Sequence, residues 1–154
     1  LILATAILQY SIYFRHRFML NVKKWLQLIA LVHIVGGLML PVVVQLELVQ
    51  PYFKLMAEVF ALPAQQDLLF LQFMVGIFGP TIASWGLLFW AVVTHSFSQP
   101  SKGAWWLMIA ASAVWAVYDS IYSSLFGLWI NALINAVVFM SIVLPLWWVR
   151  KEFD

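Results

Sequence analysis

No cysteine occurs in this sequence. That excludes a disulfide scaffold, a thiolate nucleophile and any cysteine-ligated metal or iron–sulfur centre. Charge is almost as scarce, with eight Lys and Arg and six Asp and Glu among 154 residues, or 9%. A soluble domain carries about 25%. A globule this small leaves much of its surface wet, and so few charges cannot cover it. Recognisable catalytic groupings are missing too: there is no His-Glu-x-x-His, no phosphate-cradling glycine loop and no pair of neighbouring carboxylates inside an apolar stretch. The sequence therefore predicts no enzyme activity and no metal site. The calculated pI of about 9.1 reflects a net charge of only +2 and does not point to nucleic acid.

What the chain has in abundance is apolar surface. Hydrophobic residues make up 65%, aromatic residues 17%, tryptophan alone contributes nine positions, and the mean hydropathy is +0.97. This is the composition of an integral membrane protein. A spanning helix needs roughly 20 mostly apolar residues, and four stretches meet that length: 25–46, 68–94, 104–122 and 129–149. The expectation is an all-α, antiparallel four-helix transmembrane bundle formed by a single domain. Gly36-Gly37 interrupt the first stretch, and Gly79-Pro80 in the second predict a kink, a tilt or a projection beyond the bilayer. Ser123 to Gly127 join the third and fourth as a tight hairpin. Residues 1–14 are apolar but short, and read as a partial span or an interfacial segment. They lack the basic-before-apolar order of a secretory signal.

Basic residues orient the bundle. Arg15, Arg17, Lys23, Lys24, Lys102, Arg150 and Lys151 fall on one side of four antiparallel spans, and only Lys54 on the other. The positive-inside rule makes the seven-residue side, with the C-terminus, cytoplasmic. A bacterial inner membrane is the expected location. The loop on the opposite side carries Glu47, Glu58 and Asp67 against Lys54. Pro51 there opens a run in which Leu55, Met56, Val59, Phe60 and Leu62 recur at helical spacing, Lys54 and Glu58 stand four apart, and Pro63 ends it. This predicts a short amphipathic helix between Pro51 and Pro63 within the 47–67 loop, serving as a lid, a docking surface or a gate for lipid. Trp25, Trp105, Trp106, Trp147 and Trp148 mark one headgroup level and Trp129 the other. Trp85, Trp90 and Trp115 lie deeper.

Ionisable groups within a membrane are costly and signal function. Asp119 is the one acidic residue inside a predicted span, about one turn from the outer end. Trp115 and Ser123 share its helix face, as does Ser112. Asn131 and Asn135 reach a similar depth on the next helix. Asp119, Asn131, Asn135, Ser123 and Trp115 are therefore the candidate ligand-binding residues. Their competing role is to hold the helices together by interhelical hydrogen bonds. His33 and His95 are candidate haem or quinone contacts, since paired histidines ligate membrane haem. Gly76, Gly79, Ala83 and Gly86 form a small-residue stripe that serves either internal helix packing or a seam for another subunit. A break at Gly79-Pro80, followed by Thr81 and Ser84, would expose a backbone carbonyl to a ligand as span breaks do in transporters, but the paired break of an inverted repeat is missing.

Two functions follow as expectations. The first is a small non-catalytic accessory or structural subunit of a larger complex, partnered by other membrane proteins and by lipids, with tight lipid contacts at Trp85, Trp90 and phenylalanine-rich faces. The second is a carrier or binding protein for a lipophilic or cationic ligand around Asp119. A haem- or quinone-linked redox subunit is a third reading.

Overall fold

The computed structural model describes the backbone of residues 2–62 and 65–154, and their side chains apart from 2–12, 14–16 and 65–67. Expectations resting on Leu1 and Pro63, or on the side chains of Arg15, His16 and Asp67, lie outside the described residues. Five α-helices follow in order: α1 (Ile2–Val43), α2 (Gln50–Val59), α3 (Gln65–Ser98), α4 (Lys102–Leu125) and α5 (Trp129–Trp148). No strand occurs among the described residues. Four helices are long and apolar enough to cross a membrane, over Arg17–Val43, Leu68–Ser98, Lys102–Leu125 and Trp129–Trp148. The protein is an all-α, multi-pass membrane bundle.

Helix α1 has 42 residues, about 63 Å at 1.5 Å per residue, so it outruns a bilayer core of about 30 Å. Residues 2–14 belong to it without a break. Helix α3 carries Gly79-Pro80 within a continuous helix of 34 residues, about 51 Å and so longer than the bilayer core requires. Gly36-Gly37 do not interrupt the first span, since α1 is helical through them. The reason lies in packing. An added Cβ at Gly37 would stand 2.5 Å from the Ala83 amide nitrogen and the Gly79 carbonyl oxygen. One at Gly79 would run into the Gly37 carbonyl oxygen, and one at Gly86 would lie 2.8 Å from that of Ala30. The two backbones touch along this line, and it is the most extensive interface in the molecule. The small-residue stripe of α3 is thus an internal seam with α1.

Helices α4 and α5 form the second hairpin. Its turn is a Schellman cap: Leu128 donates its N–H to Ser123 and Gly127 to Ser124, with Gly127 at φ +76°, where a side chain is disfavoured. The two hairpins meet through a core at the end of the bundle that bears Lys102 and Arg150. Leu26, Ala30, Val93, Met108, Ile142 and Leu146 are buried there, and Phe153 packs in from the final turn. Trp105 donates its indole N–H to the Leu146 carbonyl at 2.8 Å, joining α4 to α5, and Trp25 donates to Ser141 at 2.9 Å, joining α1 to α5.

The opposite end is closed differently. Pro51 sits in the first turn of α2, where its missing N–H costs nothing. The helix buries Phe53 against Val44 of the α1 end and Leu71 of α3. Gln50 accepts a hydrogen bond from buried Gln72 at 3.1 Å and donates to the carbonyls of Val44 and Leu46, just past the end of α1. Lys54 and Glu58 are both exposed. On the other flank, Tyr52 donates to Asn131 of α5 at 3.1 Å, and the Phe60 and Phe126 rings lie 5.5 Å apart. Helix α2 therefore bridges both hairpins as a lid.

Candidate functional site

Between the solid core at the basic end and the lid at the other, the hairpins leave an open cavity of about 530 Å3. All four long helices line it, and α3, α4 and α5 each do so with residues one or two turns apart. Helix α4 contributes Trp115 and Asp119, and α5 contributes Ile134 and Val138. Helix α3 supplies Phe78, Thr81, Ile82 and Trp85, while α1 supplies His33 alone. The volume falls within the range of roughly 300–1,000 Å3 typical of small-molecule sites, and the mix of many apolar walls with few polar groups is also typical.

Asp119 accepts a hydrogen bond from the Asn135 amide through Oδ2. Among the described residues this is its only hydrogen bond, and no Lys, Arg or His nitrogen lies within ion-pairing distance. Asn135 is buried and so anchors the carboxyl group of a residue that lines the cavity. His33 has its Nδ1 2.8 Å from the Ile29 carbonyl oxygen. A carbonyl can only accept, so Nδ1 carries the hydrogen and Nε2 of the neutral ring is an acceptor. The His33 ring packs 4.7 Å from the Trp85 ring. Trp85 in turn stacks on Phe89 at 5.0 Å and 9°, which ties this wall to the core, and its ring lies 6.2 Å from Trp115. The site thus presents two hydrogen-bond acceptors between two indoles whose faces carry negative potential.

Three of the five residues expected to bind ligand gather here: Asp119 and Trp115 line the cavity, and Asn135 holds Asp119. The other two lie elsewhere. Asn131 donates to Ser123 at 3.4 Å and accepts from Tyr52, forming a separate polar knot under the lid. Ser112 is buried and returns its hydroxyl to the Met108 carbonyl of its own helix. Asn131 and Ser123 therefore hold elements together, which is the competing role that interhelical polar residues offer. His33 and His95 do not meet: His95 is exposed in the last turn of α3, ten residues beyond the Trp85 that His33 touches, roughly 15 Å along the helix. Among the described residues no group of three metal-ligating side chains assembles. Of the polar pair past Pro80, Thr81 lines the cavity and Ser84 does not.

Sequence reasoning did not join Phe78, Ile82, Trp85, Ile134 or Val138 to Asp119. The available signal was their spacing, since Phe78, Ile82 and Trp85 share one stripe and Ile134 and Val138 another. No known protein family, curated protein or solved structure matches the chain. The fold and cavity together define the class, a multi-pass α-helical membrane protein with a chamber between two helical hairpins.

Proposed function

We propose that the protein is a non-catalytic membrane protein that binds a lipophilic cation, or a lipophilic molecule with a hydrogen-bond-donating head, in the chamber around Asp119. The observation that carries this reading is the pairing of an Asn135-anchored carboxyl group with two indole walls in an open, largely apolar chamber. A carboxyl group without a basic protein partner seeks a donor or a cation at membrane depth, and indole faces attract cations by about 2 kcal/mol or more when desolvated. The His33 acceptor adds a second position for a donor. A quinone matches the site less well, because its carbonyls accept and find Thr81 but not Asp119. Assembly with other subunits draws on exposed apolar faces, such as Phe70, Phe73 and Leu88, which lipid also covers. With the basic end cytoplasmic, the chamber lies in the outer half of the bilayer.

The test is equilibrium dialysis of tetraphenylphosphonium against the purified chain in lipid nanodiscs. Wild type is expected to bind saturably. Asp119→Asn keeps an oxygen for Asn135 and is expected to weaken binding by roughly tenfold or more, the loss of a charge-assisted contact. Equal binding by Asp119→Asn, or equally tight binding of neutral triphenylphosphine oxide to wild type, overturns the reading. A stoichiometric second protein on purification in mild detergent would instead support the subunit role.

A further inference from the structure

A second cavity, of about 230 Å3, opens at the basic end of the α4–α5 hairpin, remote from Asp119. Its polar lining is Lys102 from the start of α4 and Arg150 from the turn after α5, together with Asp154. Trp105, Trp106 and Trp147 wall it, and buried Phe153 closes its floor. The Arg150 guanidinium carbon lies 4.5 Å from the centre of the Trp147 ring, so the cation is held in place by an aromatic face. The Phe153 ring packs edge-on against Phe97 of α3 at 5.3 Å, which pins the turn bearing Arg150 to the bundle. Trp106 and Trp147 are half exposed at the level where indoles seek headgroups. Neither Lys102 nor Arg150 has a carboxylate within ion-pairing distance among the described residues, although Asp154 shares the cavity.

We infer that this cavity binds the phosphate of an anionic phospholipid headgroup. Two cations from different elements converge on a recess of headgroup size, and the tryptophan walls place that recess where the acyl chains of a lipid continue along the hairpin. A phosphodiester supplies the acceptor oxygens that Lys102 and Arg150 lack, Arg by its fork and Lys as a point charge. Basic recesses of this kind at the membrane surface recognise anionic headgroups. The single carboxylate in the lining disfavours a dianionic group, so a singly charged diester such as phosphatidylglycerol fits best.

Native mass spectrometry of the protein released from nanodiscs of equal parts phosphatidylglycerol and phosphatidylcholine tests this. Wild type is expected to retain phosphatidylglycerol preferentially. The double variant Lys102→Gln/Arg150→Gln is expected to lower that preference by roughly tenfold or more, the loss of two basic contacts near a charged surface. Lys151→Gln removes a charge at the same end but outside the cavity, and is expected to leave the preference intact. Both substitutions fall on exposed residues, and tetraphenylphosphonium binding reports that the variants remain folded. If that binding is absent in wild type, an unchanged thermal midpoint in detergent serves the same purpose. No preference in wild type, an unchanged preference in the double variant, or an equal loss in Lys151→Gln overturns the inference. Displacement of the lipid by millimolar inorganic phosphate would show a site for free phosphate and overturns the lipid assignment.

Discussion

At the scale of residues, the glycines divide sharply by what surrounds them. Gly86 of α3 faces the backbone of α1 at Ala30 and Ile34, and a Cβ there would meet atoms that cannot move aside; Gly36 of α1 has nothing within 4 Å. Gly86→Val is expected to destabilise the bundle by about 1–3 kcal/mol through forced separation of α1 and α3. Gly36→Ala should be neutral or stabilising by up to about 1 kcal/mol, since alanine is the better helix former. Reversible unfolding in mixed detergent micelles measures both. Equal effects would mean that the seam is not the close backbone contact described above. Asp119 has the opposite logic: it borders an open cavity and is held by Asn135, and on the proposed reading Asp119→Asn is expected to change binding far more than folding.

Among the elements, the lid α2 has a strained end. Leu62 donates to the Ala57 carbonyl and Ala61 to that of Glu58, the same Schellman geometry as at Gly127, but the left-handed position is occupied by alanine at φ +52°. That conformation costs a non-glycine residue about 1 kcal/mol or more. Ala61→Gly is therefore expected to slow hydrogen exchange over α2, with little change in the long helices. Phe53→Ala removes the buried ring that seats α2 on α1 and α3, and is expected to cost about 3 kcal/mol locally. It should open α2 to exchange and to protease while the spans stay protected. If exchange rises uniformly instead, the lid is not a separate unit. Tyr52 and Asn131 couple it to the second hairpin by one hydrogen bond, a contact of the order of 0.6 kcal/mol in membrane proteins. Tyr52→Phe should thus loosen the lid only mildly.

For the whole molecule, the asymmetry of charge makes a topological prediction that the absence of native cysteine renders simple to read. Single cysteines at Ser101 or Lys151 are expected to react with a membrane-impermeant maleimide only after the cells are opened, and one at Lys54 in intact cells. All three positions are exposed, so lack of reaction reports the membrane and not burial. The reverse pattern would invert the orientation and place the chamber in the inner leaflet. The same polarity runs through the packing: the end rich in basic residues is filled by side chains from all four long helices, and the other end is bridged by a lid over a chamber.

Composition and hydropathy by themselves determined the membrane class, the four spans and the surface helix, because the bilayer imposes length and apolarity on each helix separately. Pro51 and the run to Leu62 identified α2 for the same local reason. The Asp119–Asn135 contact was legible as well, since a tight hairpin turn brings equivalent depths of α4 and α5 together. What no local pattern specified was how the two hairpins sit against each other. The meeting of His33 and Trp85 depends on the register of α1 against α3, which backbone contact at Gly37, Gly79 and Gly86 sets. The separation of His95 from His33, and the diversion of Asn131 toward Tyr52, depend on the same long-range placement. The chamber is a property of four helices at once: each contributes only a few side chains, and none encloses a volume until the close contact of α1 with α3 and the core at the basic end have fixed where the hairpins stand.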